Sequence, residues 1–118
     1  MKKLIIIEDD TDARDMVTFT FENSGLEVVK ADKEITVAGI AELKPHIIAI
    51  NYLLSDKPGN DICKKLKADK LTAHIPIILY SANERLDIIS RGSNADGFLG
   101  KPLELEDFVY LVHRISLS

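Results

Sequence analysis

Leu4-Ile5-Ile6-Ile7-Glu8-Asp9-Asp10 begins with four apolar residues in unbroken succession and ends on three acids. A run this short, without alternation and bounded by charge, suits a strand buried on both faces of a parallel sheet. The same type of segment recurs at residues 47–50, and again at residues 75–80, interrupted only by Pro76. Residues 26–31 and 97–100 supply two further strand candidates.

Helical patterns fall between these runs. Ala13, Met16, Val17, Thr20 and Phe21 recur at helical spacing, with Asp10 or Thr11 as a cap and Gly25 just past the end. Val17-Thr18-Phe19-Thr20-Phe21 also alternates like a strand. Helix is the better reading, because a crossover between parallel strands needs about a dozen residues or more. Ile35, Val37, Ala38, Ile40, Ala41 and Leu43 form the second pattern, which Pro45 cannot continue. Ile62, Cys63, Leu66 and Lys67 form the third, preceded by Pro58-Gly59-Asn60. Cys63 reads there as a small buried hydrophobe, and Lys64, Lys65, Lys67 and Lys70 as a solvated face. A short fourth helix is expected over about residues 84–91, and a fifth carries Leu105, Phe108, Val109, Leu111, Val112 and Ile115. Strand and helix thus alternate five times, which predicts an α/β sheet with helices on both faces.

The chain's 118 residues fit one domain over residues 1–118. A chain of this size buries about two-thirds of its unfolded surface, so a core can form without staples. The single cysteine, Cys63, excludes an intrachain disulfide and a multi-cysteine zinc site. The net charge of −4 disfavours non-specific nucleic-acid binding and an anionic membrane surface. The run at residues 4–7 is too short for a signal-peptide core or a membrane span, so a cytoplasmic protein is expected. His46, His74 and His113 fall at separate places in this topology and read as surface or capping residues.

In open parallel sheets, ligands bind beyond the carboxyl ends of the strands. Those ends carry Glu8-Asp9-Asp10, Asn51, Ser81 and Lys101-Pro102. Clustered carboxylates repel unless a cation neutralises them. Oxygen ligands favour a hard ion such as Mg²⁺, and a hydroxyl with a lysine can hold phosphoryl oxygens. Together these ends look like a Mg²⁺-and-phosphoryl pocket.

The chain resembles the receiver domain of two-component response regulators, the CheY-like superfamily. The stretches that carry the resemblance are residues 4–10, residues 45–54 with Gly59, residues 75–82, and residues 94–102. The resemblance implies a flavodoxin-like (βα)5 three-layer sandwich with a parallel five-stranded sheet in the order 2-1-3-4-5, as in flavodoxin and chemotaxis regulators. By the same resemblance, Glu8 and Asp9 match the acidic pair at Mg²⁺, and Leu53 the residue whose carbonyl completes the metal site. Ser81 and Lys101 match the residues that engage the phosphoryl group, and Phe98 the aromatic switch. The Lys101-Pro102 bond matches one that is cis in the family. Asn94 stands where glycine is frequent, and it too suits a left-handed backbone.

Position 51 departs from the pattern. The family's phosphoacceptor is Asp, whose carboxylate attacks a phosphodonor; here it is Asn51. An amide has no negative charge, and its nitrogen lone pair is delocalised, so no aspartyl phosphate is expected. Mg²⁺ binding is expected to weaken rather than vanish. Asn51 is compatible with a natural pseudo-receiver and with an Asp→Asn substitution. Ser55 replaces a usual proline, and Asp56 lies in the following loop, too far along to act as acceptor. The expected partner is a sensor histidine kinase or another signalling protein, with the domain a monomer or weak dimer. The residues after the fifth helix are too few for a DNA-binding effector, so a stand-alone receiver or a piece of a longer regulator or hybrid kinase is expected. The alternative is an enzyme of the same architecture, flavodoxin-like or Mg²⁺-dependent and phosphoryl-handling. A flavin phosphate wants free backbone N–H groups after the first strand, where this chain carries three acids.

Overall fold

The computed structural model describes residues 2–52, 54, 59–81, 94–100 and 104–116. Its strands are β1 (Lys3–Ile7), β2 (Glu27–Ala31), β3 (Ile47–Asn51), β4 (Ile77–Tyr80) and β5 (Gly97–Leu99). The described helices are α1 (Thr11–Asn23), α2 (Val37–Leu43), α3 (Gly59–Ala68) and α4 (Leu105–Ser116). The expected helix over residues 84–91 lies outside the described residues. All strands pair in parallel, in the order β2-β1-β3-β4-β5, as the sequence resemblance implied.

Because side chains alternate across a strand, the apolar runs feed two cores. Ile5, Ile7, Ile48, Ile50, Ile77 and Leu79 face α2 and α3, meeting Ile40, Ile62, Cys63 and Leu66. Leu4, Ile6, Ile47, Ala49, Ile78 and Tyr80 face α1 and α4, meeting Val17, Phe21, Phe108 and Val112. Phe108 is the hinge of the second core. Its ring stands edge-on to Phe21 at 4.9 Å between centroids and tilted against Tyr80 at 4.8 Å. Cys63 is fully buried, as its apolar neighbours suggested.

The ambiguous stretch at residues 17–21 is helical. Val17, Thr18 and Phe21 are buried while Phe19 is 68% exposed, the spacing of a helix and not of a strand. Met16 is 54% exposed, so the buried stripe is rotated by about a residue from the expected one. Asp10 is the N-cap, but its side chain makes no capping bond. Gly25, at φ 91°, takes the left-handed conformation expected past the helix end. Asn94 adopts φ 64° in the same region. α2 is only seven residues long and is capped by Thr36, whose hydroxyl accepts from the Gly39 N–H at 2.9 Å.

Lys67 corrects the reading of a solvated lysine face. Its ammonium is mostly buried, 2.7 Å from Asp96 and 2.8 Å from the Ile75 carbonyl. Asp96 also accepts from the Ile77 N–H at 2.8 Å. The end of α3 is thereby tied to the amino ends of β4 and β5, at the opposite edge from the strand ends that carry the acids.

Gly59 starts α3 hard against the end of β3, donating its N–H to the Tyr52 carbonyl at 2.6 Å. A Cβ there would run into the Asn51 carbonyl oxygen and sit 2.9 Å from Ile50 Cγ2. Gly59→Ala is therefore expected to lower the unfolding free energy by about 1–3 kcal/mol in denaturant titration. Undiminished stability would contradict this packing.

Candidate functional site

The sheet register builds the site. Ile7 pairs with Ile50, and Asn51 pairs with Tyr80. One step past β1, Glu8 therefore falls in a row with Asn51 and Tyr80. By alternation all three side chains emerge on the α1–α4 face, above Ile6, Ala49 and Ile78.

Glu8 is almost completely buried, at 1% exposure. A buried carboxylate is tolerated only when charge partners or hydrogen-bond donors compensate its lost hydration. Here the compensation comes from the row itself. Asn51 Nδ2 donates to both Glu8 oxygens at 2.7 Å. The Tyr80 hydroxyl donates to Oε1 at 2.8 Å. The Asp10 N–H approaches Oε2 at 3.4 Å, a long contact. Burial, and then the neighbouring Glu8 carboxylate that its hydroxyl hydrogen-bonds, push the Tyr80 phenol far above its ordinary range. It therefore remains a protonated donor.

Glu8 and Asn51 were candidates from their strand-end positions, and the structure brings them into direct contact. Asp9 is half-buried, and its Oδ1 accepts from the Lys33 N–H at 3.2 Å. Ser81 is buried beyond β4, its N–H donating to the Leu99 carbonyl at 3.0 Å. Phe98, on β5, is 44% exposed and so is not a core residue. Leu53, Lys101 and the Lys101-Pro102 bond lie outside the described residues, as do Ser55 and Asp56. Tyr80 was read only as the end of an apolar run. The signal that could have revealed it is chemical: a phenol at the end of a buried strand needs a hydrogen-bond partner.

The described geometry does not fit a cation directly on Glu8. An amide NH₂ and a phenol O–H point at its oxygens, where a metal ligand would offer lone pairs. Nor is Asn51 a nucleophile, since its nitrogen is committed to Glu8 and its lone pair to the amide.

The sequence matches the response regulator receiver domain family over residues 4–113. This chain belongs to that family. The receiver is 30% identical over 118 residues to the DNA-binding dual master transcriptional regulator RpaA of Synechocystis, covering 98% of this chain and 49% of the relative. It is 30% identical over 111 residues to the phosphate regulon transcriptional regulatory protein PhoB of Pseudomonas aeruginosa, covering 92% of this chain and 48% of the relative. The chain thus spans about half the length of these curated relatives. Its fold is that of the Vibrio cholerae chemotaxis protein CheY4, with a TM-score of 0.83 at 22% identity over 98% of each chain. The receiver domain of the Pseudomonas aeruginosa sensor histidine kinase PA1611, solved with a magnesium ion in its active-site cleft, gives a TM-score of 0.84 at 18% identity, covering 99% of this chain and 98% of that one.

Asn51→Asp removes the amide donor and sets a second negative charge against a buried one. In EDTA at neutral pH the variant is expected to lose about 2–4 kcal/mol of stability, with part of it returning on addition of Mg²⁺. Equal denaturation midpoints for both proteins in EDTA would contradict the Asn51–Glu8 contact.

Proposed function

We propose that this receiver is a phosphorylation-independent signalling module, a pseudo-receiver within a two-component pathway, and that it acts through protein–protein contacts. The single observation that carries the reading is the Asn51 amide donating to both oxygens of Glu8 at 2.7 Å. Phosphoryl transfer to the family's acceptor needs a carboxylate nucleophile, and this chain has an amide in its place. Residues 1–118 act as one domain, with no catalytic turnover of their own.

The partner is a sensor histidine kinase or another signalling protein, met by the receiver as a monomer or weak dimer in the cytoplasm. No helix among the described residues is long and apolar enough to cross a membrane. RpaA and PhoB are regulators of transcription by name; with a net charge of −4, this chain contributes no nucleic-acid contact itself. Asp9, Asn51 and the Leu53 carbonyl are the groups through which Mg²⁺ would be held, and the donors already on Glu8 make that binding weak. Were Mg²⁺ bound, it would neutralise the pocket's negative charge. Ser81, Lys101 and Phe98 would form the remaining parts of the family's switch. Without a covalent phosphate to draw Ser81 and Lys101 together, any shift of the switch comes from a partner's unequal affinity for its two states.

The test is intact-mass analysis after incubation with Mg²⁺ and acetyl phosphate or phosphoramidate. The chain as it stands is expected to gain nothing, and Asn51→Asp to gain one phosphoryl group. Stoichiometric, hydroxylamine-labile phosphorylation of the unaltered chain at position 51 would overturn the proposal.

A further inference from the structure

A carboxylate offers about four lone-pair sites to donors. On Glu8 three donor groups share them, with Asn51 Nδ2 spanning both oxygens. Oε1 takes Asn51 Nδ2 at 2.7 Å and the Tyr80 hydroxyl at 2.8 Å. Oε2 takes Asn51 Nδ2 at 2.7 Å and the more distant Asp10 N–H at 3.4 Å. A cation approaching Glu8 competes with these donors for its lone pairs.

The donors differ in how freely they can leave. Asn51 is half-buried at the strand end, and its amide carries a carbonyl oxygen as well as the NH₂ that meets Glu8. Tyr80 offers a hydroxyl donor from a fixed ring. Its side chain is 3% exposed, and its ring is wedged against Phe108 at 4.8 Å, which is braced in turn by Phe21 at 4.9 Å. Its backbone is pinned as well, the Tyr80 carbonyl accepting from the Tyr52 N–H at 2.8 Å. The aromatic core therefore delivers the hydroxyl to Glu8 and keeps it there.

We propose that Tyr80 is a positioning residue for Glu8, whose hydroxyl, with the Asn51 amide, occupies the place of a divalent cation and makes the pocket self-sufficient without metal. This deepens the phosphorylation-independent reading of the same pocket and rests on it. The phenol lowers the receiver's Mg²⁺ affinity: it donates to the carboxylate from a ring the core holds in place, and a cation must compete with it.

Tyr80→Phe tests this, because it deletes the hydroxyl and retains the ring on Phe108. Mg²⁺ is titrated from an EDTA-treated start, and the concentration giving half of the rise in melting temperature is read. Loss of a hydrogen bond to a charged group is expected to lower that midpoint by about tenfold or more. A midpoint measurable in Tyr80→Phe but beyond reach in the unaltered chain counts the same way. Tyr80→Leu, a second variant without the hydroxyl, is expected to shift it in the same direction, and serves if the first does not fold. If the folded variants show the unaltered midpoint, or no Mg²⁺ effect at all, Tyr80 is a packing residue only and the proposal is overturned. Acetyl phosphate treatment of the same samples separates the two ideas. An unchanged midpoint with no mass gain removes the Tyr80 role alone, whereas mass gain by the unaltered chain removes the phosphorylation-independent reading.

Discussion

A carboxylate buried under the end of a parallel sheet has to be answered, and the answer given to Glu8 shapes everything around it. A carboxylate at position 51 would set a second negative charge beside Glu8, and clustered carboxylates repel unless a cation neutralises them. Here the neighbour is an amide that donates to both Glu8 oxygens at 2.7 Å. The charge is accommodated by donors within the protein. Changing one oxygen to nitrogen at position 51 thereby alters two properties together. The amide offers no carboxylate nucleophile, and it sets no second negative charge against Glu8.

The fold is what makes this exchange possible. Parallel register aligns the ends of β1, β3 and β4, so that Glu8, Asn51 and Tyr80 meet without any long loop to position them. Gly59 lets α3 start directly against the Asn51 carbonyl, which fixes the backbone from which the amide projects. Below the row, Tyr80, Phe108 and Phe21 form a chain of ring contacts running into the α1–α4 core. Polar site and apolar core are therefore one mechanical unit. The Lys67–Asp96 pair secures the opposite edge of β4 and β5.

The architecture was open to reading from the sequence because the three central strands, β1, β3 and β4, are built on apolar runs that are buried on both faces of the sheet. The alternation at residues 17–21 competed locally with the helix pattern, and the need for a crossover decided it correctly. The acids of β1 and the residue after β3 stood out because strand ends are where such sheets place chemistry. Tyr80 and Lys67 were not legible in the same way. The partner of each is set by register and by packing between elements far apart in the chain: Glu8 lies 72 positions from Tyr80, and Asp96 comes from the far edge of the sheet. An amphipathic residue with a polar tip is read from sequence as apolar filler or as solvated charge until the fold supplies its partner.

The Asn51 amide is the donor that meets both oxygens of the buried Glu8. A nitrogen–proton correlation spectrum reports on this contact through the Asn51 side-chain NH₂, assigned by its disappearance in Asn51→Asp and recorded in EDTA and in millimolar Mg²⁺. Two well-separated proton resonances are expected, protected from solvent exchange and unchanged between the two conditions. Averaged, rapidly exchanging resonances in EDTA, or their displacement by Mg²⁺ at those concentrations, would contradict the contact.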